Sequence, residues 1–246
     1  MNPGRGWLLL TNDDGIEAVG FELLVKALHR AGYPLAVLAP SGNHSATGMR
    51  INLMKPMAFR GREDLVSAWG LDPHATPVHL FELDGTPCDT MIVALDGGLN
   101  HLVPGVHPQL VVSGVNLGPN LSQDSYHSGT MGAAREAGLY GVPAVAASFT
   151  SFDPEGIERA VDATLEAVAK ATAVLPVKAP NLGRPNGALD TGYFTSWPKA
   201  ATDDRWLADP EAALLSAFTN GDVMLNVNAP ATWNGTWAST RLGVRS

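Results

Sequence analysis

Residues 7 to 15 read WLLLTNDDG, an apolar run that ends on Asn12, two adjacent carboxylates and a glycine. Four large apolar residues in succession, without polar alternation, fit a parallel strand covered on both faces. Beyond the NDDG turn, Val19, Leu23, Leu24, Ala27 and Leu28 recur at helical spacing, with Glu22, Lys26 and Arg30 between them and Gly32 closing the segment. PLAVLA, residues 34 to 39, supplies a second short strand. Strand, helix and strand in that order make a βαβ unit with parallel strands and a right-handed crossover.

The alternation continues along the chain. QLVVS (109 to 113) and VPAVAAS (142 to 148) read as further strands, separated by a helical stretch from about Met131 to Tyr140. TPCDTMIVAL (86 to 95) reads as a helix with Pro87 in its first turn, where a missing N–H costs nothing. Glu155 to Val174 is the longest helical pattern, and VMLNVN (223 to 228) reads as a final core strand. We therefore expect one α/β domain over residues 1–246 with a mainly parallel sheet. Residues 176–220, whose first part is rich in Pro, Gly, Asn and Trp, are expected to form an irregular C-terminal insertion or small subdomain.

Composition narrows the function. The 246 residues carry a formal charge of −8, which argues against the clustered cations that grip a phosphate backbone, so no stable nucleic-acid complex is expected. Cys88 is the single cysteine, which excludes an internal disulfide and any multi-cysteine metal site and fits a reducing compartment. The N-terminal apolar run is too short for a secretory signal, and no stretch approaches the roughly 18 apolar residues of a membrane span. A cytoplasmic protein without a membrane partner is the expectation.

In an open parallel sheet, ligands bind outside the carboxyl ends of the strands. Asp13 and Asp14 fall at that edge. Neighbouring carboxylates repel and lose hydration when buried, so a bound cation would stabilise both; an ordinary Asp-Gly turn accounts for the pair equally well. Other strand ends bear on the choice. SGNHSATG (41 to 48) brings Ser41, Ser45 and Thr47, and SGVNLGPN (113 to 120) brings a hydroxyl and two amides. A set of oxygen donors suits Mg²⁺, Mn²⁺ or Ca²⁺ better than zinc. A fourth loop, YHSGTMGAAREAG (126 to 138), sets Ser128, Gly129 and Thr130 before an alanine-rich helix, an arrangement that serves for capping and, beside a cation, for phosphate.

The blocks TNDDG, APSGNHSATG, DGTPCD, VVSGVNLGPN and YHSGTMGAAREA, in this order and at these separations, resemble the SurE family of survival-protein nucleotidases. The likeness covers roughly residues 7 to 150, resumes at LNVNAP (225 to 230) and extends to STRLG (239 to 243). It implies a Rossmann-like three-layer fold and a phosphatase acting on nucleoside monophosphates with one divalent cation per subunit. Mg²⁺ or Mn²⁺ would be the working ion, Ca²⁺ an alternative occupant, and the assembly a homodimer or homotetramer. The implied metal ligands are Asp13, Asp14, Ser45 and Asn116. Asn12, Ser113, Gly114, Asn120, Ser128, Gly129 and Thr130 would surround the phosphate, with Asp13 and Asn12 as the catalytic residues. Residues 176 to 220 match no part of the family pattern, and family members usually continue beyond TRLGVRS.

Two carboxylates and two neutral oxygens leave a cation room for water and a phosphate oxygen, so hydrolysis by metal-activated water without a phospho-enzyme is the expected chemistry. A dehalogenase-like phosphatase needs an Asp-x-Asp spacing, and a receiver domain needs an acceptor Asp where this chain has Ser113; neither fits. A nucleotide- or phosphate-sensing module that binds without turnover is the alternative. His44 and His127 lie in the site loops, His44 read as an ordinary polar residue and His127 open between that and a proton donor. Cys88 is read as a packing residue, and Tyr193, Phe194 and Trp197 as a small local core rather than a base-stacking surface.

Overall fold

The computed structural model describes residues 5–180, 182 and 208–240. The apolar run of the opening is strand β1 (Trp7–Thr11), and the amphipathic pattern after it is helix α1 (Val19–Arg30). Then follow β2 (Leu35–Pro40), β3 (Phe59–Gly61), α2 (Glu63–Ala68), β4 (Val78–Leu83) and α3 (Pro87–Val93). A π turn over Ala94–Gly98 leads into α4 (Leu99–Leu102), and β5 (Pro108–Leu117), α5 (Asp124–His127), α6 (Gly129–Leu139) and β6 (Ala144–Phe149) come next. Helix α7 (Glu158–Val174), a helix designated α8 (Pro210–Thr219) and β7 (Leu225–Ala229) complete the described elements.

The strands form one sheet in the order β3-β4-β2-β1-β5-β6-β7, every neighbouring pair parallel except the short edge strand β3. The α/β expectation with a mainly parallel sheet is borne out. Successive side chains of a strand face opposite layers, and both layers here are apolar. Leu8 and Leu10 join Val37, Val112 and Val145 in a core with α1 and α7, while Leu9 joins Leu38, Val111 and Ala146 in a second core with α3 and α6. That two-sided burial is why WLLLT has no polar alternation.

Four features depart from the sequence expectations. Strand β5 runs on past Ser113 through Leu117, so Gly114 and Asn116 belong to a strand rather than to a loop. Its pairing with β6 slips between Ser113 and Asn116, and the Gly114–Val115 peptide is cis. The β3, α2 and β4 elements went unread, because β4 alternates buried and half-buried residues and includes His79 and Glu82. Helix α3 ends at Val93 rather than Leu95, because the π turn begins at Ala94. Residues 210–219, inside the stretch expected to be irregular, form a helix that Asp209 caps through Ala212 N–H, with Pro210 in its first turn. Among the described residues no helix is long and apolar enough to cross a membrane.

Candidate active site

The chain leaves β1 for one side of the sheet and later returns to the other with β5, so the crevice between their carboxyl ends is the topological switch point. NDDG lies at the end of β1, and Thr11 pairs with Ser113 of β5. Asp13 is 3% exposed and accepts a 2.6 Å hydrogen bond on Oδ1 from Thr130 Oγ1. Its backbone carbonyl accepts from His44 N–H at 2.6 Å, which draws the loop carrying Ser45 against NDDG. Asp14 accepts on Oδ2 from Leu117 N–H at 3.1 Å and on Oδ1 from Asn43 Nδ2 at 3.3 Å. Asn43 also takes Ser45 N–H on its Oδ1 at 2.9 Å, so one amide links the acidic pair to the serine loop.

Helix α6 meets the same place end-on. Ser128 caps it, accepting from Met131 N–H at 3.1 Å, so the capping role read from the sequence holds whatever else the residue does. A side chain on Gly129 would bring its Cβ 2.8 Å from Asp13 Cβ and 3.0 Å from Asp13 Oδ2; only a residue without one lets the helix come this close. The structure thus brings Asp13, Asp14, Gly129 and Thr130 into direct contact or adjacency, with Ser45 and Asn116 each one residue from a backbone group bonded to the pair.

Asn120 is fastened differently. Its Nδ2 donates to Ser148 Oγ at 2.8 Å and its N–H to Asn228 Oδ1 at 2.8 Å, while its carbonyl accepts from Asn226 and Asn228 at 2.9 and 3.3 Å. Asn226 and Asn228 have no site role in the sequence reading beyond the VMLNVN strand and the LNVNAP block, although asparagine at alternate positions of a strand is a polar stripe that could have marked them. Asn43 and the Leu117 amide were also missed. So was the anchor on the serine loop, where Asn52 gives two hydrogen bonds to Asp89 and Thr86 gives one to Arg50 O. Of the histidines, His44 is half-buried with its pKa lowered by burial and by Arg50, whereas His127 is exposed and supplies its carbonyl to Gly48 N–H. Cys88 is buried, its thiol pushed up to about 12 chiefly by burial, and it packs as expected. Tyr193, Phe194 and Trp197 lie outside the described residues.

The electrostatics of the pair favour a cation. Burial pushes Asp13 up to about 6, Asp14 adds to the shift by repulsion, and the Thr130 hydrogen bond opposes it. Burial raises Asp14 as well, against the pull of the Leu117 amide. Two further atoms are buried without hydrogen-bond partners, Asn12 Oδ1 just past the end of β1 and Ser113 Oγ within β5, where Ser113 pairs with Thr11. Asn12 Nδ2 is tied to Gly15 O at 2.7 Å, which fixes the amide with its oxygen as the orphan. Uncompensated acceptors and carboxylates at one sheet edge are what a hard cation and its oxygen ligands satisfy. Among the described residues no group of three or more His, Cys, Asp or Glu is placed to hold a metal ion.

The family model described as Survival protein SurE matches residues 8–246. The 5'-nucleotidase SurE of Desulfitobacterium hafniense (strain DSM 10664 / DCB-2) is 40% identical over 145 residues, 59% of this chain and 51% of that protein. The 5'-nucleotidase SurE of Gloeobacter violaceus is 38% identical over 148 residues, 58% and 50% of the two chains. The chain therefore spans about half the length of the curated relatives it matches. Among solved structures, the SurE protein from Aquifex aeolicus superposes with a TM-score of 0.56 at 28% identity, covering 68% of this chain and 60% of that one. With a model match along nearly its whole length and the five blocks meeting at one sheet edge, the chain belongs to the SurE family.

Proposed function

We propose that the protein is a divalent-metal-dependent phosphomonoesterase that hydrolyses nucleoside 5′-monophosphates, with 3′-monophosphates as a second substrate class, to nucleoside and phosphate. The observation that carries this reading is the buried Asp13 held between Thr130 and the bare Gly129 at the switch point, with Asp14 beside it. The 5'-nucleotidase relatives support the substrate class. Asp13, Asp14, Ser45 and Asn116 would hold one Mg²⁺ or Mn²⁺ per subunit, with Ca²⁺ as an alternative occupant. When bound, that ion supplies charge neutralisation and lowers the pKa of the attacking water.

The chain's own residues do the rest. Thr130 fixes the Asp13 carboxylate, and Asn12 offers its orphan Oδ1 as an acceptor for a donor on the attacking water. The first amides of α6 at Gly129 and Thr130 face developing phosphoryl charge, aided by the helix dipole and the Ser128 cap. Ser113, Gly114 and Asn120 close the cradle on the β5 side. We further propose a cytoplasmic homodimer or homotetramer that forms no stable nucleic-acid complex. The deciding experiment is phosphate release from nucleoside monophosphates by metal-stripped protein with Mg²⁺ or Mn²⁺ restored, beside Asp13→Asn. Metal-dependent release that the substitution abolishes is the expected result. Nucleotide binding without release under any metal would leave a binding module.

A further inference from the structure

Phe152, in the loop after β6, is 80% exposed, yet its ring rests against backbone. It lies on Gly118, where a side chain would put its Cβ 2.5 Å from the ring's Cε1 and 3.0 Å from Cδ1. Gly118 has φ +119°, so the backbone there suits glycine on two counts. The glycine is itself pinned, its N–H donating to Phe149 O at 3.1 Å and its carbonyl accepting from Asn116 Nδ2 at 2.7 Å. The residue before it, Leu117, gives its N–H to Asp14. The phenylalanine's own loop is fastened by Thr150 N–H to Ala229 O, Asp153 N–H to Ser151 Oγ and Glu155 N–H to Asp153 Oδ1. The result is an aromatic ring resting on a rigid strap, one residue from the contact to Asp14, with most of its surface open to water.

We propose that Phe152 is the stacking platform for the aromatic base of the substrate and so distinguishes nucleotides from other phosphomonoesters. The inference rests on the proposed phosphomonoesterase site and deepens it. A ring whose loop is already ordered loses little entropy when a base settles on it, and stacking tolerates every base because each has a π face. Asn116 couples the two ends of the substrate: it is a candidate metal ligand and its amide also holds the glycine under the ring. The platform thus sits at a fixed offset from the phosphate end.

The test compares 5′-AMP with ribose 5-phosphate, which lacks only the base, in wild type, Phe152→Ala, Phe152→Leu and Phe152→Trp. Steady-state kinetics with Mn²⁺ and calorimetric binding are read side by side. Phe152→Ala is expected to shrink the preference for AMP over ribose 5-phosphate by about 10-fold through KM. Phe152→Trp restores it and Phe152→Leu, of similar bulk without a π face, does not. Equal losses on both ligands, no change on either, or a change of oligomeric mass by light scattering without a change in preference would overturn the platform. Binding is measured without turnover, so a wild type that hydrolyses nothing would sink the hydrolase reading while the AMP preference still judges the ring.

Discussion

Thr130 Oγ1 donates a 2.6 Å hydrogen bond to Asp13 Oδ1, joining the first turn of α6 to the end of β1 across 117 residues of sequence. The bond favours the ionised carboxylate and opposes the upward push of burial. Thr130→Val keeps the shape and removes the donor. The acid limb of the pH–activity profile is expected to move to higher pH, with kcat/KM at pH 6 falling about 10-fold or more. A profile of unchanged shape would show that Thr130 does not tune Asp13.

Asp13 itself links stability to pH. Burial pushes its carboxyl up to about 6 in the folded state against an ordinary value of 3.8, so between these values the folded state binds more protons than the unfolded one. The metal-free protein therefore loses stability as pH rises from 3.8 through about 6, by about 3 kcal/mol, and the loss persists at higher pH. Asp13→Asn removes the buried charge and is expected to raise Tm in EDTA at pH 7.5 on the order of 5–10 °C, with little gain at pH 4. The same substitution should abolish the Tm increase that Mn²⁺ gives the wild type. Thermal scans at the two pH values, with and without the ion, check both statements.

Gly129→Ala sets a packing change against a chemical one. Alanine favours a helix over glycine, yet here its Cβ meets Asp13 Cβ at 2.8 Å and both Asp13 Oδ2 and Thr47 Oγ1 at 3.0 Å. The carboxylate must shift, and a displacement of roughly 1 Å at a reacting site costs about 100-fold. Activity is expected to fall by that order while far-UV circular dichroism stays native. Full activity would show that Asp13 has room to spare.

Asn228→Ala strips the acceptor from Asn120 N–H and one donor from its carbonyl. A loss of about 1–3 kcal/mol in denaturant unfolding is expected, together with a raised KM for phosphate esters. A stable variant with unaltered KM would mean that the amide cluster does not support the cradle.

Cys88 is the chain's one thiol, buried and pushed up to about 12. Ellman's reagent is expected to find nothing in the native protein and one equivalent in guanidinium chloride. Rapid labelling of folded protein would contradict the packing described for α3.

Legibility in the sequence followed burial pattern. WLLLT and PLAVLA were readable because two-sided burial leaves uninterrupted apolar runs, and α1 and α7 because one-sided burial leaves a 3.6-residue period. VHLFEL hid, since His79 and Glu82 break the run of β4 near the sheet edge. The carboxyl end of β5 hid for another reason: Gly114 and Asn116 have loop chemistry, and only the pairing of Asn116 and Leu117 with β6 shows that the strand runs on. The acidic pair, the α6 cap and the glycine at 129 were visible as residue types. Their partners were not, because Thr130 to Asp13, Leu117 to Asp14 and Asn228 to Asn120 are each contacts more than 100 residues apart.

The amide cluster around Asn120 also orders events in time. All four candidate cation ligands lie at or before residue 116, whereas three of the four hydrogen bonds that fasten Asn120 come from residues 226 and 228. A ribosome delivers the first set more than 100 residues ahead of the second, and domains begin to organise during synthesis. A nascent chain halted before β7 would hold every candidate ligand while Asn120 kept its bond to Ser148 alone. Completion of the last strand is thus the step that fixes the Asn120 backbone, and a truncated product would carry the acidic pair without that support.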